Sequence, residues 1–274
     1  MRRDGLVDLP GDVGLNGHAC WAYQDVSGDL RNAVAAFLAE GIELGQRLMF
    51  VGGPETERAV CKLEPMASWV ADGSLVIAPF EQVYPGGHRL PNDEQWAMYC
   101  AVIDQALADG FTGLRVVAEV TSLAASDPAG HEHAHWETYA DRQMPHRPFA
   151  ALCCFDRTVL SSQALATIAS AHPIADRRLE ELAPFRLFGR GDMIALAGEV
   201  DAFSSATLGR LLDAEDGAHG TVVLDLSGLD FIDHTGFRVI EEHSRNLLSA
   251  GRSLLVQGEP AAFRRIESIR DHAR

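Results

Sequence analysis

The chain has 274 residues, 47% of them apolar, and a net charge of −16. That apolar content buries the core of one large domain or two modest ones. So acidic a surface repels nucleic acid and anionic membrane and excludes both as main partners, and no run is long and apolar enough to span a bilayer. The opening stretch MRRDGLVDLPGDVGLNG has a basic start with no apolar segment after it, so it reads as a short flexible lead and not as a secretion signal. The five cysteines, Cys20, Cys61, Cys100, Cys153 and Cys154, form no CxxC pair, and most sit in apolar runs as small hydrophobes. The expected setting is reducing and cytoplasmic.

Strand and helix signals then alternate. HACWAY reads as a strand, and Leu30, Val34, Phe37 and Leu38 form one helical face. RLMFV is a strand, TERAVCKLEPMASWV a helix and SLVIAPF a strand. Trp96, Cys100, Ile103 and Leu107 share one side of the next helix. FTGLRVVAEV is a strand, HWETYADRQM a helix, PFAALCCF a doubly buried strand and SSQALATIASAH a helix. Such alternation predicts an α/β domain with a mainly parallel sheet covered on both faces. Ligands of such sheets bind beyond the carboxyl ends of the strands. Tyr23, Phe80, Tyr84, Glu119 and Asp156 fall there and are the candidate lining residues.

This order resembles the ATPase domains of the RecA and KaiC class, in a three-layer outline. The loop after the first strand is YQDVSGDL, which lacks GK[ST], and Asp25 and Asp29 would repel a phosphate. Glu119 falls where such enzymes keep an acidic group near magnesium, but without the loop it has no nucleotide to serve. GHACWAYQD, FLAEGIELGQRLMFVGGPETERAV, VIAPFEQVYPGG, GFTGLRVVAEVTSL and ALCCFDRTVL together resemble the MEDS sensory domain, a family of that outline without the phosphate loop. The resemblance implies a sensor of small molecules. His18 matches a histidine typical of the family's opening strand, and is expected to bond a neighbouring carbonyl or to contact the ligand.

AGHEHAHWE gathers His131, His133, His135, Glu132 and Glu137. On a helix, His131 and His135 share a face one turn apart, a spacing that suits zinc. The alternative is a solvated loop leading into a helix. A metal site would need further ligands from elsewhere.

HPIADRRLEELAP, bracketed by Pro173 and Pro184, reads as a charged linker with one helical turn. The expected division is a sensory domain over 1–174, a linker over 175–184 and a second domain over 185–274. FRLFGRGDMIALAGEV is two strands about a glycine turn, SSATLGRLLDAE a helix, TVVLDL a strand, RVIEEHSRNLLSA a helix, RSLLVQG a strand and PAAFRRIESI a final helix. GEVDAFSSATL, VVLDLSGLDFIDHTGF and LLVQGEP make this half resemble the STAS domain of anti-anti-sigma factors, a small α/β fold. In that family a serine or threonine between an aspartate and [ST]G accepts phosphate from a partner kinase. Here that place holds His234, with no hydroxyl, so the usual switch is expected to be lost. Thr235 keeps a hydroxyl, whose expected work is to cap the following helix. Asp233 and Gly236 flank the position and are expected to meet the partner, since a helix start offers free N–H groups and Gly236 lets another chain come close.

Together the two resemblances imply a cytoplasmic signalling regulator. A small-molecule sensor would control a STAS domain, whose partner would be an anti-sigma factor kinase or another STAS protein. The competing readings are a metal-dependent enzyme built on the histidine cluster and a ligand-free scaffold in a larger STAS assembly. The sequence names no cofactor.

Overall fold

The computed structural model describes residues 3–127, 130–214 and 220–272. The larger sheet has seven strands: β1 (Gly5–Val7), β2 (His18–Tyr23), β3 (Arg47–Gly52), β4 (Leu75–Pro79), β5 (Leu114–Glu119), β6 (Phe149–Asp156) and β7 (Ile174–Asp176). They lie in the order β1-β7-β2-β6-β5-β3-β4, and every pairing is parallel. The helices of this half are α1 (Arg31–Glu43), α2 (Pro54–Val60), α3 (Met66–Ala71), α4 (Phe80–Val83), α5 (Asn92–Ala108), α6 (Thr121–Ala125), α7 (His131–Gln143) and α8 (Ser162–Ser170). The single helix expected over TERAVCKLEPMASWV is two, because Pro65 breaks the run.

β2 and β5 are buried at every residue, as central parallel strands require. Alternation along β2 and β6 sends Cys20, Ala22, Ala151 and Cys153 to the face covered by α5, α7 and α8. Ala19, Trp21, Leu152 and Cys154 point to the other face, against Val34, Phe37 and Leu38 of α1.

Two segments differ from their expected state. The lead contains β1, and the linker begins with β7, which pairs β1 on one side and β2 on the other. The residues between β1 and β2 are also fastened. Glu40 accepts from the N–H groups of Val13 (2.9 Å) and Gly14 (2.7 Å). Arg115, with no exposed surface, donates to Glu40 (2.9 Å), to the Gly14 carbonyl (2.8 Å) and to Gln46 (2.8 Å). Its guanidinium also lies 4.4 Å from the Phe37 ring centre.

The second half comprises β8 (Phe185–Arg190), β9 (Met193–Val200), α9 (Ser205–Asp213), β10 (Thr221–Ile232), α10 (His234–Ser249), β11 (Ser253–Gln257) and α11 (Ala261–His272). Glu215, the last residue of the helix expected over SSATLGRLLDAE, lies outside the described residues. The sheet runs β11-β10-β9-β8, with β8 antiparallel to β9 and the other pairings parallel. Leu208, Leu211, Phe237, Ile240 and Phe263 close its core from the helices. Ala134 of α7 and Ala171, just after α8, join that same core.

β8 runs so close to α7 that a side chain at Gly189 would meet the Arg142 Cα and the Asp141 carbonyl at 3.1 Å. Glycine is therefore favoured there by contact and not by backbone angle, since any side chain would push the two backbones apart by a few tenths of an ångström.

Truncation of Arg115 leaves Glu40 partly buried without its cation and removes the anchor of residues 13–14. Arg115→Ala is expected to lower unfolding free energy by about 3–5 kcal/mol, measured by urea denaturation of the full chain.

Candidate functional site

The most unusual chemistry lies between the sheet and α7. Glu137 is 1% exposed, and one of its oxygens, Oε2, is 3.2 Å from His18 Nε2, 3.4 Å from His172 Nε2 and 3.7 Å from Cys153 Sγ. The other, Oε1, is 2.7 Å from His133 Nε2. Neither His133 ring nitrogen is aligned for a conventional hydrogen bond, nor is His172 Nε2. His18 Nδ1 bonds Asp141 Oδ1 at 2.8 Å, and His172 Nδ1 bonds the Ile168 carbonyl at 2.8 Å. The His18 and His172 rings are 4.1 Å apart.

Each element has a local reason to deliver its residue. β2 alternation turns His18 to the α7 side with Cys20, and β6 turns Cys153 the same way. On α7, residues 133, 137 and 141 recur every four and so share the inward face.

The electrostatics follow from burial and neighbours. Burial alone would raise the Glu137 carboxyl, but the charge of His172 and the close approach of the His133, His172 and His18 rings hold it well below the usual carboxylate range. Burial alone would lower His18, but its bonds to Asp141 and Glu137 raise it above the ordinary imidazole value. His172 is lowered, by burial and then by His18. Burial and the Glu137 charge push the Cys153 thiol up.

A cavity of about 30 Å³ adjoins the group, lined by His18, Tyr84, Arg89, Tyr99, His133, Trp136, Glu137 and Cys153 among others. That volume holds about one water-sized occupant. It lies under the α7 face of the sheet and not beyond the carboxyl ends of the strands, where the topology had placed the pocket. Of the expected lining residues, His18 and Tyr84 reach it. Phe80 packs on Tyr84, ring centres 5.1 Å apart. Tyr23, Glu119 and Asp156 form a separate group at the strand ends. The Tyr23 hydroxyl donates to Glu119 Oε1 at 3.2 Å, and the Thr121 hydroxyl donates to the same oxygen. Thr121 Oγ1 in turn accepts from the Asp156 N–H at 2.8 Å. Burial raises the Glu119 carboxyl against its bonds to Thr121 and Tyr23, with a smaller lift from the Asp156 charge. Burial and the Glu119 charge raise the Tyr23 phenol. Asp156 spends its own carboxylate on Thr158.

His18 therefore bonds a carboxylate, not the carbonyl that was expected. The histidine-rich stretch begins the helix itself and is divided by it. His131 and His135 stand edge to face, 4.9 Å apart, on one side. His133 and Glu137 turn inward. The three histidines thus do not converge on one point. Among the described residues, the group whose donor atoms all fall within 4.8 Å of one another is His18, Glu137, Cys153 and His172. The sequence alone did not single out Cys153 and His172 as donors, because their separations of 16 and 19 residues form no local motif.

Where a nucleotide loop would stand, the N–H groups are already engaged. Asp25 accepts from Ser27 N (3.1 Å) and Gly28 N (2.8 Å). Asp29 accepts from Gln24 N and pairs with Arg178 at 2.7 Å.

In the second half, α10 starts at His234, which is exposed. Its cap is Asp233, whose Oδ1 accepts from Thr235 N (2.8 Å) and Gly236 N (2.9 Å). The Thr235 hydroxyl, expected to cap, instead lies 3.5 Å from His234 Nε2. Gly236 is buried. A side chain there would meet Val200 Cγ1 at 2.6 Å, so its small size serves internal packing. At the same end of the sheet, the Asp233 N–H bonds the Val200 carbonyl, and three residues beyond Val200 stands Phe203, 95% exposed.

Residues 17–173 match the family model described as MEDS, MEthanogen/methylotroph, DcmR Sensory domain. Residues 185–269 match that described as Mlab, STAS domain. No curated protein matches the chain. Both families are sensory or regulatory types and not catalytic ones. The first match spans more than half of the chain, so the protein belongs to the MEDS family of sensory domains, with a STAS domain following.

Proposed function

We propose that the protein is a cytoplasmic signalling regulator without catalytic activity, in which the MEDS half senses a small ligand and sets the binding state of the STAS half. The observation that carries this reading is the path through Asp141. One of its oxygens holds His18 beside the cavity, and the other accepts the N–H of Gly189 on β8 at 2.6 Å. A change at His18 is felt in the STAS sheet through one side chain. Ala134 and Ala171 add an apolar path by sharing the STAS core. The cavity limits the ligand to a very small molecule unless its lining moves.

The STAS half would meet an anti-sigma factor kinase or another STAS protein. Its docking edge would be the end carrying Phe203 and His234, where an exposed phenyl ring offers an anchor. His234 offers no hydroxyl for phosphate, so control passes to the sensory half. Thr235 is the one hydroxyl in the stretch FIDHTGF, and with Asp233 as the cap it is not tied to the backbone. The geometry disfavours a hydrolase built on His131, His133 and His135, since these rings do not converge.

Capture from native cells with the full chain as bait tests the reading. A kinase of the histidine-kinase ATP-binding type, or a STAS protein, is the expected catch. Phe203→Ala should lose it, and Asp141→Ala should change its amount by about five-fold or more. Capture of neither class overturns the partner assignment. After incubation with the captured kinase and ATP, mass spectrometry should find phosphate at position 234 in His234→Ser and none at that position in the wild type. Full phosphorylation of wild-type Thr235 would mean that the switch has moved by one residue.

Titration with magnesium and ATP in a calorimeter should give no binding heat at micromolar protein. Asp25 already occupies the N–H groups that would cradle a phosphate.

A further inference from the structure

One donor atom each from His18, Glu137, Cys153 and His172 lie within 4.8 Å of one another, and four of their six separations match those of a metal shell. A tetrahedral ion with bonds of about 2.0–2.1 Å to nitrogen or oxygen and about 2.3 Å to sulfur separates its ligands by about 3.3 Å, and by about 3.6 Å where sulfur is one of them. The observed separations from Glu137 Oε2 are 3.2 Å to His18 Nε2, 3.4 Å to His172 Nε2 and 3.7 Å to Cys153 Sγ. Cys153 Sγ is also 3.7 Å from His18 Nε2.

The protons point the same way. The Ile168 carbonyl can only accept, so His172 carries its hydrogen on Nδ1 and turns the Nε2 lone pair inward. Asp141 does the same for His18. A ring whose outer nitrogen is held by a carboxylate or carbonyl is the usual posture of a metal-bound imidazole. His172 has no exposed surface, and its Nε2 finds no hydrogen-bond partner although it faces a carboxylate oxygen. A proton on His18 gives Glu137 Oε2 one donor and leaves the His172 lone pair against it. A cation at the centre satisfies all four atoms at once.

We propose that His18, Glu137, Cys153 and His172 bind one transition-metal ion of the zinc class, with Asp141 as the positioning residue for His18. Two imidazoles, a thiolate and a carboxylate favour zinc over magnesium or calcium, which take oxygen shells. Four protein ligands close the shell, which marks a structural or sensing centre and not a hydrolytic one. The ligands come from β2, α7, β6 and the residue two beyond α8, so the ion would lock both helices that press on β8. The site stands on this geometry alone and does not depend on which partner the STAS half meets.

The test uses the full chain, stripped with a chelator, confirmed folded by circular dichroism and titrated with zinc or cobalt(II). One ion per chain is expected. Cobalt should give the near-ultraviolet charge-transfer band of a thiolate ligand and the intense visible bands of a tetrahedral site. Cys153→Ser should lose the charge-transfer band, and Asp141→Ala should weaken zinc binding by about 10–100-fold. The double variant His131→Ala/His135→Ala should keep full stoichiometry and the same spectrum. Folded wild type that takes up neither metal at micromolar concentration overturns the proposal. Cobalt bound without the thiolate band also overturns it, as does loss of the metal in the His131/His135 variant. The wild-type cobalt spectrum reports on the thiolate whether or not the Cys153 variant folds.

Discussion

A carboxylate sealed from water has to be answered by cations, protons or donors within a few ångströms, and Glu137 imposes that demand on the whole sensory half. Leaving such a charge uncompensated costs several kcal/mol. The answer is assembled from His18 on β2, His133 on α7, Cys153 on β6 and His172 just beyond α8. These elements must therefore converge on one point. The central place of β2 and β6 in the sheet and the laying of α7 and α8 over their shared face make that convergence possible. Arg115 solves the same problem with opposite sign on the far face, by pairing with Glu40 and lying against Phe37.

The two halves are joined by more than the chain between them. α7 shows one side to the buried cluster and another to β8, so the helix is both a wall of the cavity and a floor of the STAS domain. The Asp141 carboxylate divides its oxygens between His18 and Gly189, and the contact has no slack because α7 and β8 touch backbone to backbone at that glycine. A packed contact of this kind shifts in discrete steps and does not deform smoothly. Arg210 of α9 adds a bond to Thr167 of α8 at 3.2 Å.

Much of the architecture was legible in the residues. HACWAY and PFAALCCF announce doubly buried parallel strands, and the switch from helical to alternating periodicity marks each crossover. The missing lysine and glycine cradle after the first strand, and the imidazole at position 234, also needed no coordinates. Harder to see were the short strands. GLV and IAD are each three residues long, too short for periodicity to register, and only their pairing with one another and with β2 makes them strands. The cluster was hidden for a related reason. Its members stand at 18, 137, 153 and 172, and only the parallel register that sets His18 opposite Ala151 brings them together. The dense run of histidines at 131–135 drew notice to its own rings, while the helix period sends His131 and His135 away from His133. At α10, two residues competed to cap, and Asp233, standing just before the first helical residue, took the place that the sequence pattern assigned to Thr235.

The three-residue strand β7 bears on how such a protein is put together by gene fusion. β1 has its pairing with β7, and β7 lies between β1 and β2, so the sensory sheet is finished by residues that come after the sensory helices. A crossover of genes at Pro173 would strip β1 of its neighbour and bare the edge of β2, inviting strand exchange between chains. Asp176 and Arg178 extend the dependence, since Arg178 bonds both Asp176 and Asp29 and lies over Trp21. An effector domain can be traded onto this sensor only if the incoming gene is spliced beyond Arg178. The splice point that preserves the sensor thus falls inside the stretch whose composition looks most like disposable linker.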